Sequence, residues 1–230
     1  MGPPGGDAAE ASAGRIRGRA GGRADEGRGR ARTEPDPNRA ESGGTALRSW
    51  GTMPRMTTEQ IDTTPRVSPS TTSGEREALE QWLDFHRATL ARKCEGLDDA
   101  QLRTPSAPPS DLNLLGLVRH MAQVERGWFR RTLGGEETEW IYSTEEDRDR
   151  DIRTREGDTY EEAFATWQAE IAHARALAAT RDLDDLGSGE HHSGTPFNLR
   201  WIYLHMIEEY ARHNGHADLL RERIDGATGD

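Results

Sequence analysis

The chain is expected to be all-α: a four-helix bundle with long crossover connections, preceded by a disordered N-terminal segment. Three observations predict this. Four stretches carry apolar residues at 3.6-residue spacing, each bounded by residues that start or stop helices. No strand-like alternation, internal repeat or coiled-coil heptad run is present. The connections between the four stretches run to roughly 18–25 residues, longer than a plain up-down bundle needs, so crossovers between parallel neighbours are expected.

The first helix is placed at about Glu75–Cys94, with Leu79, Leu83, His86 and Leu90 on one face and Gly96 as its stop. The second runs from Asn113, a good N-cap, to Leu133 and ends at Gly134-Gly135. Its stripe is Leu114, Leu117, Met121, Val124 and Trp128. The segment 136–158 contains "EEDRDRDIRTREGD", whose alternating signs predict a solvated connection. The third helix opens with a capping box, Thr159 to Glu162, and carries Tyr160, Phe164, Trp167, Ile171 and Ala174 on one face. The fourth spans about Asn198–Ile224 and stops at Gly226.

Residues 1–55 are rich in Gly, Ala, Arg, Pro and Asp, with almost no large apolar side chains. Such a segment cannot bury enough surface to offset its ordering entropy, so disorder is expected there, continuing through a Thr/Ser/Pro-rich linker to residue 73. A mis-called start is one explanation, because "MTTEQID" at Met56 is a more ordinary beginning. The domain proper is then 74–230.

The head carries ten Arg against seven acids, a net of +3, so the remainder holds −14 of the total −11. A folded part this acidic repels phosphate backbones, which argues against a nucleic-acid partner. No run of about 18 apolar residues exists, so no membrane span is expected. A single cysteine, Cys94, excludes an internal disulfide and fits a reducing cytoplasm. Cys94 is expected to be a small core residue, with no base beside it in sequence.

The last helix is the informative one. Wound at 100° per residue, Ile202, Met206, Ala217, Leu220 and Ile224 form a narrow stripe, and Glu209 and His213 fall inside it. A lone carboxylate buried there costs several kcal/mol or stays protonated. Coordination to a cation removes the difficulty for both side chains, and a Glu/His pair four residues apart is a two-ligand chelate for Zn, Fe, Ni or Mn. A buried ion pair with Arg87 or Arg200 would do so as well.

His120, on the flank of the second helix's stripe, is the best third ligand. Gly116 and Gly127 beside it would admit a close helix or a bulky ligand. Two His and one Glu leave coordination positions open, as catalytic rather than structural metals require. Of the other histidines, His86 is mid-stripe on the first helix, where a satisfied core residue is the first expectation and a fourth ligand or a base behind the ligands the alternatives. His205 lies too far along the helix to share an ion with His213, His216 is at the inner edge, and His173 points outward. The loop pair His191-His192 carries little information.

"LLGLVRHMAQVERGWF" followed by "RWIYLHMIEEYARHNGHADLLRERIDG" resembles the DinB-like superfamily, and most closely its actinobacterial branch, the DinB family or mini-circle protein type. The similarity covers residues 76–230. It implies a four-helix bundle with one divalent metal ion, zinc first among the candidates, held by His120, Glu209 and His213. Glu209 departs from the three-histidine pattern of many members and resembles instead the metal-binding domain of mycothiol-dependent maleylpyruvate isomerase. The resemblance further implies a thiol S-transferase or isomerase, with a small-molecule thiol such as mycothiol as cosubstrate and an electrophilic second substrate. His86 or His216 is then expected to shuttle protons and Arg200 to steer an anionic group. A metal-dependent hydrolase, with Glu208 or a histidine as base, and a non-catalytic metal-binding stress protein are the competing readings. A homodimer is compatible with so small a bundle.

Overall fold

The computed structural model describes residues 65–189 and 194–229. The expected disordered head and the His191-His192 pair lie outside these residues. Among those described there are helices and one isolated antiparallel bridge, Leu186 with Asn198, but no β-strand. No described helix is long and apolar enough to cross a membrane.

Four long helices match the periodicities: α1 (Glu75–Cys94), α3 (Leu114–Glu125, continuing into a π-helical stretch, Arg126–Leu133), α4 (Tyr160–Ala178) and α5 (Leu199–Asp225). A fifth, α2 (Asp99–Leu102), is a single turn that the apolar pattern does not show. It is held by a capping box between Asp98 and Gln101. Asn113 accepts from the Gly116 amide at 2.8 Å to start α3, and Asn198 accepts from Trp201 at 2.9 Å to start α5. Of the expected capping box on α4, the Thr159 half is present, accepting from Glu162 N at 3.4 Å. Gly226, at φ 80°, ends α5 in the left-handed conformation that glycine adopts without steric cost.

Ion pairs at the helix ends fix the directions. Glu75 with Arg200 and Lys93 with Asp218 align α1 and α5 in parallel. Arg119 with Asp158 at one end, and Leu177 against Gly134 at the other, align α3 and α4 in parallel. The two pairs oppose each other: Arg76 reaches the Arg181 carbonyl beyond the end of α4, while the first amide of α4, Tyr160, donates to Asp99 just past α1. The order is therefore up, down, down, up. Only the connection between α3 and α4 joins parallel neighbours, so one of the three long connections is a true crossover.

That crossover retraces α3 turn by turn instead of standing off in solvent. The Trp140 ring covers Gly127, the Tyr142 and Ser143 amides donate to Gln123 Oε1 at 3.1 and 3.0 Å, and the Ile152 carbonyl lies over Gly116. A Cβ at Gly116 would sit 2.2 Å from that carbonyl oxygen. The space these glycines leave is thus filled by the chain's own connection, not by another helix or a ligand. The linker leans on the bundle as well, with the Arg66 guanidinium 4.2 Å from the centre of the Phe85 ring.

The core is apolar: Leu83, Leu90, Leu114, Leu117, Met121, Leu133, Ile202 and Met206 are fully buried, each such side chain contributing about 1.5–3 kcal/mol. A polar chain crosses it. Arg87 of α1 donates from Nε and Nη2 to both oxygens of Glu125, at 2.8 Å each. Tyr210 donates to the same carboxylate at 2.7 Å, and Trp167 Nε1 donates to the Tyr210 hydroxyl at 2.7 Å. One side chain from each long helix takes part. Burial alone would lower the Arg87 pKa, but the Glu125 carboxylate beside it outweighs this and raises it further. Removing one partner of a buried pair strands the other charge, a loss of about 3–5 kcal/mol. Glu125→Leu is therefore expected to lower unfolding free energy by about that much in urea titration, and a change below about 1 kcal/mol would mean that the pair is not desolvated as described.

Candidate metal centre

α3 and α5 run antiparallel and bring His120 against His213, with ring centroids 4.7 Å apart. Glu209 lies one turn before His213 on the same helix. One ligand atom from each of His120, Glu209 and His213 falls within 4.8 Å of the others. Glu209 is 0% exposed, and neither carboxylate oxygen has a hydrogen-bond partner among the described residues. Oε2 lies 3.5 Å from His213 Nε2 and 3.8 Å from Arg212. Oε1 lies 3.4 Å from His205 Nε2.

The alternative in which Arg87 or Arg200 neutralises Glu209 is not formed; the arginine near it is Arg212, which makes no hydrogen bond to it. Arg87 is committed to Glu125, and Arg200 pairs with Glu75 and Asp184 at the start of α5. Two donors each about 2.1 Å from one ion lie no more than about 4.2 Å apart. Glu209 Oε2 and His213 Nε2 already satisfy this, and His120 needs only a small side-chain adjustment. An orphaned carboxylate flanked by two imidazoles fits a divalent first-row ion.

Each of the three residues has a further partner outside the cluster. His120 Nδ1 is 2.7 Å from Asp151 Oδ2, Glu209 Oε1 faces His205, and His213 Nδ1 is 3.3 Å from His216 Nδ1. His205 therefore contributes toward Glu209, although it is too far along the helix to join His213 on one ion. The Trp201 ring stacks on it, 4.9 Å between centroids at 16°.

Burial opposes the charged forms of His213, His205 and His216 and depresses the pKa of each. Burial would raise Glu209, but His213, then His205 and Arg212, draw it below the usual carboxylate range. Neutral imidazoles beside an ionised carboxylate are the protonation states that ligation requires.

The remaining expectations sort by contact. His216 touches the cluster directly. His86 hydrogen-bonds Asn214, the neighbour of His213, through its ring nitrogen at 3.3 Å and packs against Trp82 and Phe85. Arg200 is not brought to the cluster. His173 pairs with Glu136 at 2.7 Å instead of facing solvent alone. Glu208 is half-exposed and paired with Arg212. Cys94 is buried and its thiol pushed up to about 12 by burial, inert as a nucleophile.

Asp151 is the residue sequence reasoning missed. It sits in the alternating-charge segment expected to be solvated, yet it is buried. The available signal was Ile152, the one large apolar residue in "EEDRDRDIRTREGD", which marks where that segment touches the bundle.

No curated protein matches the chain. Among solved structures, a conserved protein from Enterococcus faecalis is similar at 15% identity and a TM-score of 0.45, with 68% of this chain and 100% of that one covered. The mycothiol-S-transferase family matches residues 78–226, from the first turn of α1 to the cap of α5. With most of the described bundle inside that match, the chain belongs to the mycothiol-S-transferase family, of the DinB-like kind.

Proposed function

We propose that the chain is a divalent-metal-dependent transferase that joins a low-molecular-weight thiol, mycothiol first among the candidates, to an electrophilic small molecule. The observation that carries the reading is the Glu209 carboxylate, fully buried and without a hydrogen-bond partner, in a cluster with two imidazoles. Family membership supports the thiol. His120, Glu209 and His213 are the residues that would hold the ion. When bound, it supplies the positive charge that makes a thiol a thiolate at neutral pH.

The protein's own groups do the rest. Glu209 contributes the one negative charge among the three ligands, so the site stays cationic toward an incoming sulfur. With His213 ligating through Nε2, its Nδ1 hydrogen is donated to His216 Nδ1, so a neutral His216 carries its own hydrogen on Nε2 and the thiol proton leaves to solvent. Burial, and then Arg212, hold His216 below the ordinary imidazole value, which keeps it in the neutral form that accepts this bond and holds His213 in the ligating tautomer. The sulfur electron pair then forms the bond to the electrophilic carbon, and the pair of the bond that breaks departs on the leaving group or, in an addition, takes a proton from solvent. His86, bonded to Asn214, and Arg200, bonded to Glu75 and Asp184, have no part in this scheme.

Purified full-length protein is expected to bind one equivalent of Zn, Ni, Fe or Mn. Affinity should fall by at least about tenfold in His120→Ala and His213→Ala while far-UV circular dichroism stays unchanged. Mycothiol, tested beside bacillithiol and glutathione, should raise the melting temperature of the metal-loaded protein and form a conjugate with an alkylating electrophile. Unaltered metal affinity in both variants would end the proposal.

The metal-free fold should also depend on pH in a defined direction. His86, His205, His213 and His216 all have folded-state pKa values below the ordinary 6.5. Between those values and 6.5 the unfolded chain binds more protons, so stability is complete above 6.5 and lost as pH falls below it. In chelator, the melting temperature should hold from pH 8 to 7 and drop by pH 5.5. A melting temperature indifferent to that interval would show that these imidazoles are not desolvated.

A further inference from the structure

We propose that Asp151 is the positioning residue for His120, and that the crossover between α3 and α4 is the device that delivers it. Its consequence for metal binding rests on the reading above; its geometry does not. A histidine on a helix flank can rotate and can carry its hydrogen on either ring nitrogen. A ligand must hold one nitrogen inward with its lone pair free. Asp151 Oδ2 lies 2.7 Å from His120 Nδ1. A carboxylate only accepts, so the hydrogen resides on Nδ1 and the lone pair on Nε2.

Asp151 is itself fixed. Its Oδ1 accepts from the Ile152 amide at 2.9 Å, Oδ2 accepts a second bond from Gln123 Nε2 at 3.3 Å, and its backbone carbonyl accepts from Arg119 Nε at 3.2 Å. Three consecutive turns of α3 hold the segment in register: Gly116 under the Ile152 carbonyl, Arg119 and His120 on Asp151, and Gln123 on Tyr142 and Ser143. Any side chain at Gly116 would displace the Ile152 carbonyl. A glycine that touches no proposed ligand therefore decides whether Asp151 reaches His120.

The test uses the full chain with ¹⁵N-labelled histidine and two readouts. In metal-free wild type, long-range ¹H–¹⁵N spectra should show His120 as the Nδ1–H tautomer. Asp151→Ala should lose that preference and bind Zn²⁺ about 10–100-fold more weakly by chelator competition. Asp151→Asn, whose amide oxygen can still accept, should recover part of both, and Gly116→Ala should behave like Asp151→Ala. An Nε2–H tautomer in the wild type would overturn the proposal, and needs no variant to fold. So would Zn²⁺ affinity of Asp151→Ala within about twofold of wild type. If the wild type binds no Zn²⁺ yet holds the Nδ1–H tautomer, and Asp151→Ala loses it, the positioning stands and the metal reading falls.

Discussion

A carboxylate with no exposed surface is among the most expensive groups a bundle can enclose, and Glu209 is such a group. Removing it from water is tolerable only if something replaces its hydration. Its nearest neighbours, His205, His213 and Arg212, all stop at 3.4–3.8 Å, beyond good hydrogen-bond length. Contacts at those separations favour the ionised carboxylate but leave both its oxygens without the hydrogen bonds that water gave them. A cation held by Glu209, His120 and His213 together would supply the missing stabilisation. The antiparallel packing of α3 on α5 is what makes those three side chains converge.

That convergence depends on a connection as much as on helices. A plain antiparallel hairpin would leave α3 bare on its outer side and His120 free to turn. The up-down-down-up order instead requires about 26 residues to travel the length of α4, roughly 28 Å at 1.5 Å per residue. Those residues lie along α3, where Gly127 and Gly116 admit them. The topology therefore supplies a strap, and the strap carries an acid to the one candidate ligand that α5 does not hold.

Much of this was legible in the sequence, for physical reasons that differ between elements. Winding α5 at 100° per residue put Glu209 and His213 among Ile202, Met206 and Leu220, because a helix imposes one period on its apolar side chains. Asn113, Asn198 and Gly226 marked helix limits, since capping chemistry is local. The turn Asp99–Leu102 was not legible, being too short to show a period. Neither was the widened stretch Arg126–Leu133, whose apolar pattern does not distinguish i+4 from i+5 hydrogen bonding. The pairing of Arg87 with Glu125, 38 residues apart, and of Asp151 with His120, 31 apart, depends on tertiary contact. Nothing local in the chain announces either. The first of these is the reason Arg87 does not reach Glu209.

Glu125 and Glu209 together form an internal control. Both are fully buried in the same bundle, on the two helices that face each other across the site. The fold surrounds Glu125 with a bidentate guanidinium and a tyrosine hydroxyl, so its charge is matched from within. Glu209 is given no comparable donor: Arg212, one turn away, bonds Glu208 through Nη2 and comes only to 3.8 Å from Glu209. In a bundle that satisfies one buried carboxylate so completely, the other, left without a hydrogen bond, is where an external cation would find a place. The asymmetry between the two acids therefore supports the proposed centre more strongly than the identity of either does alone.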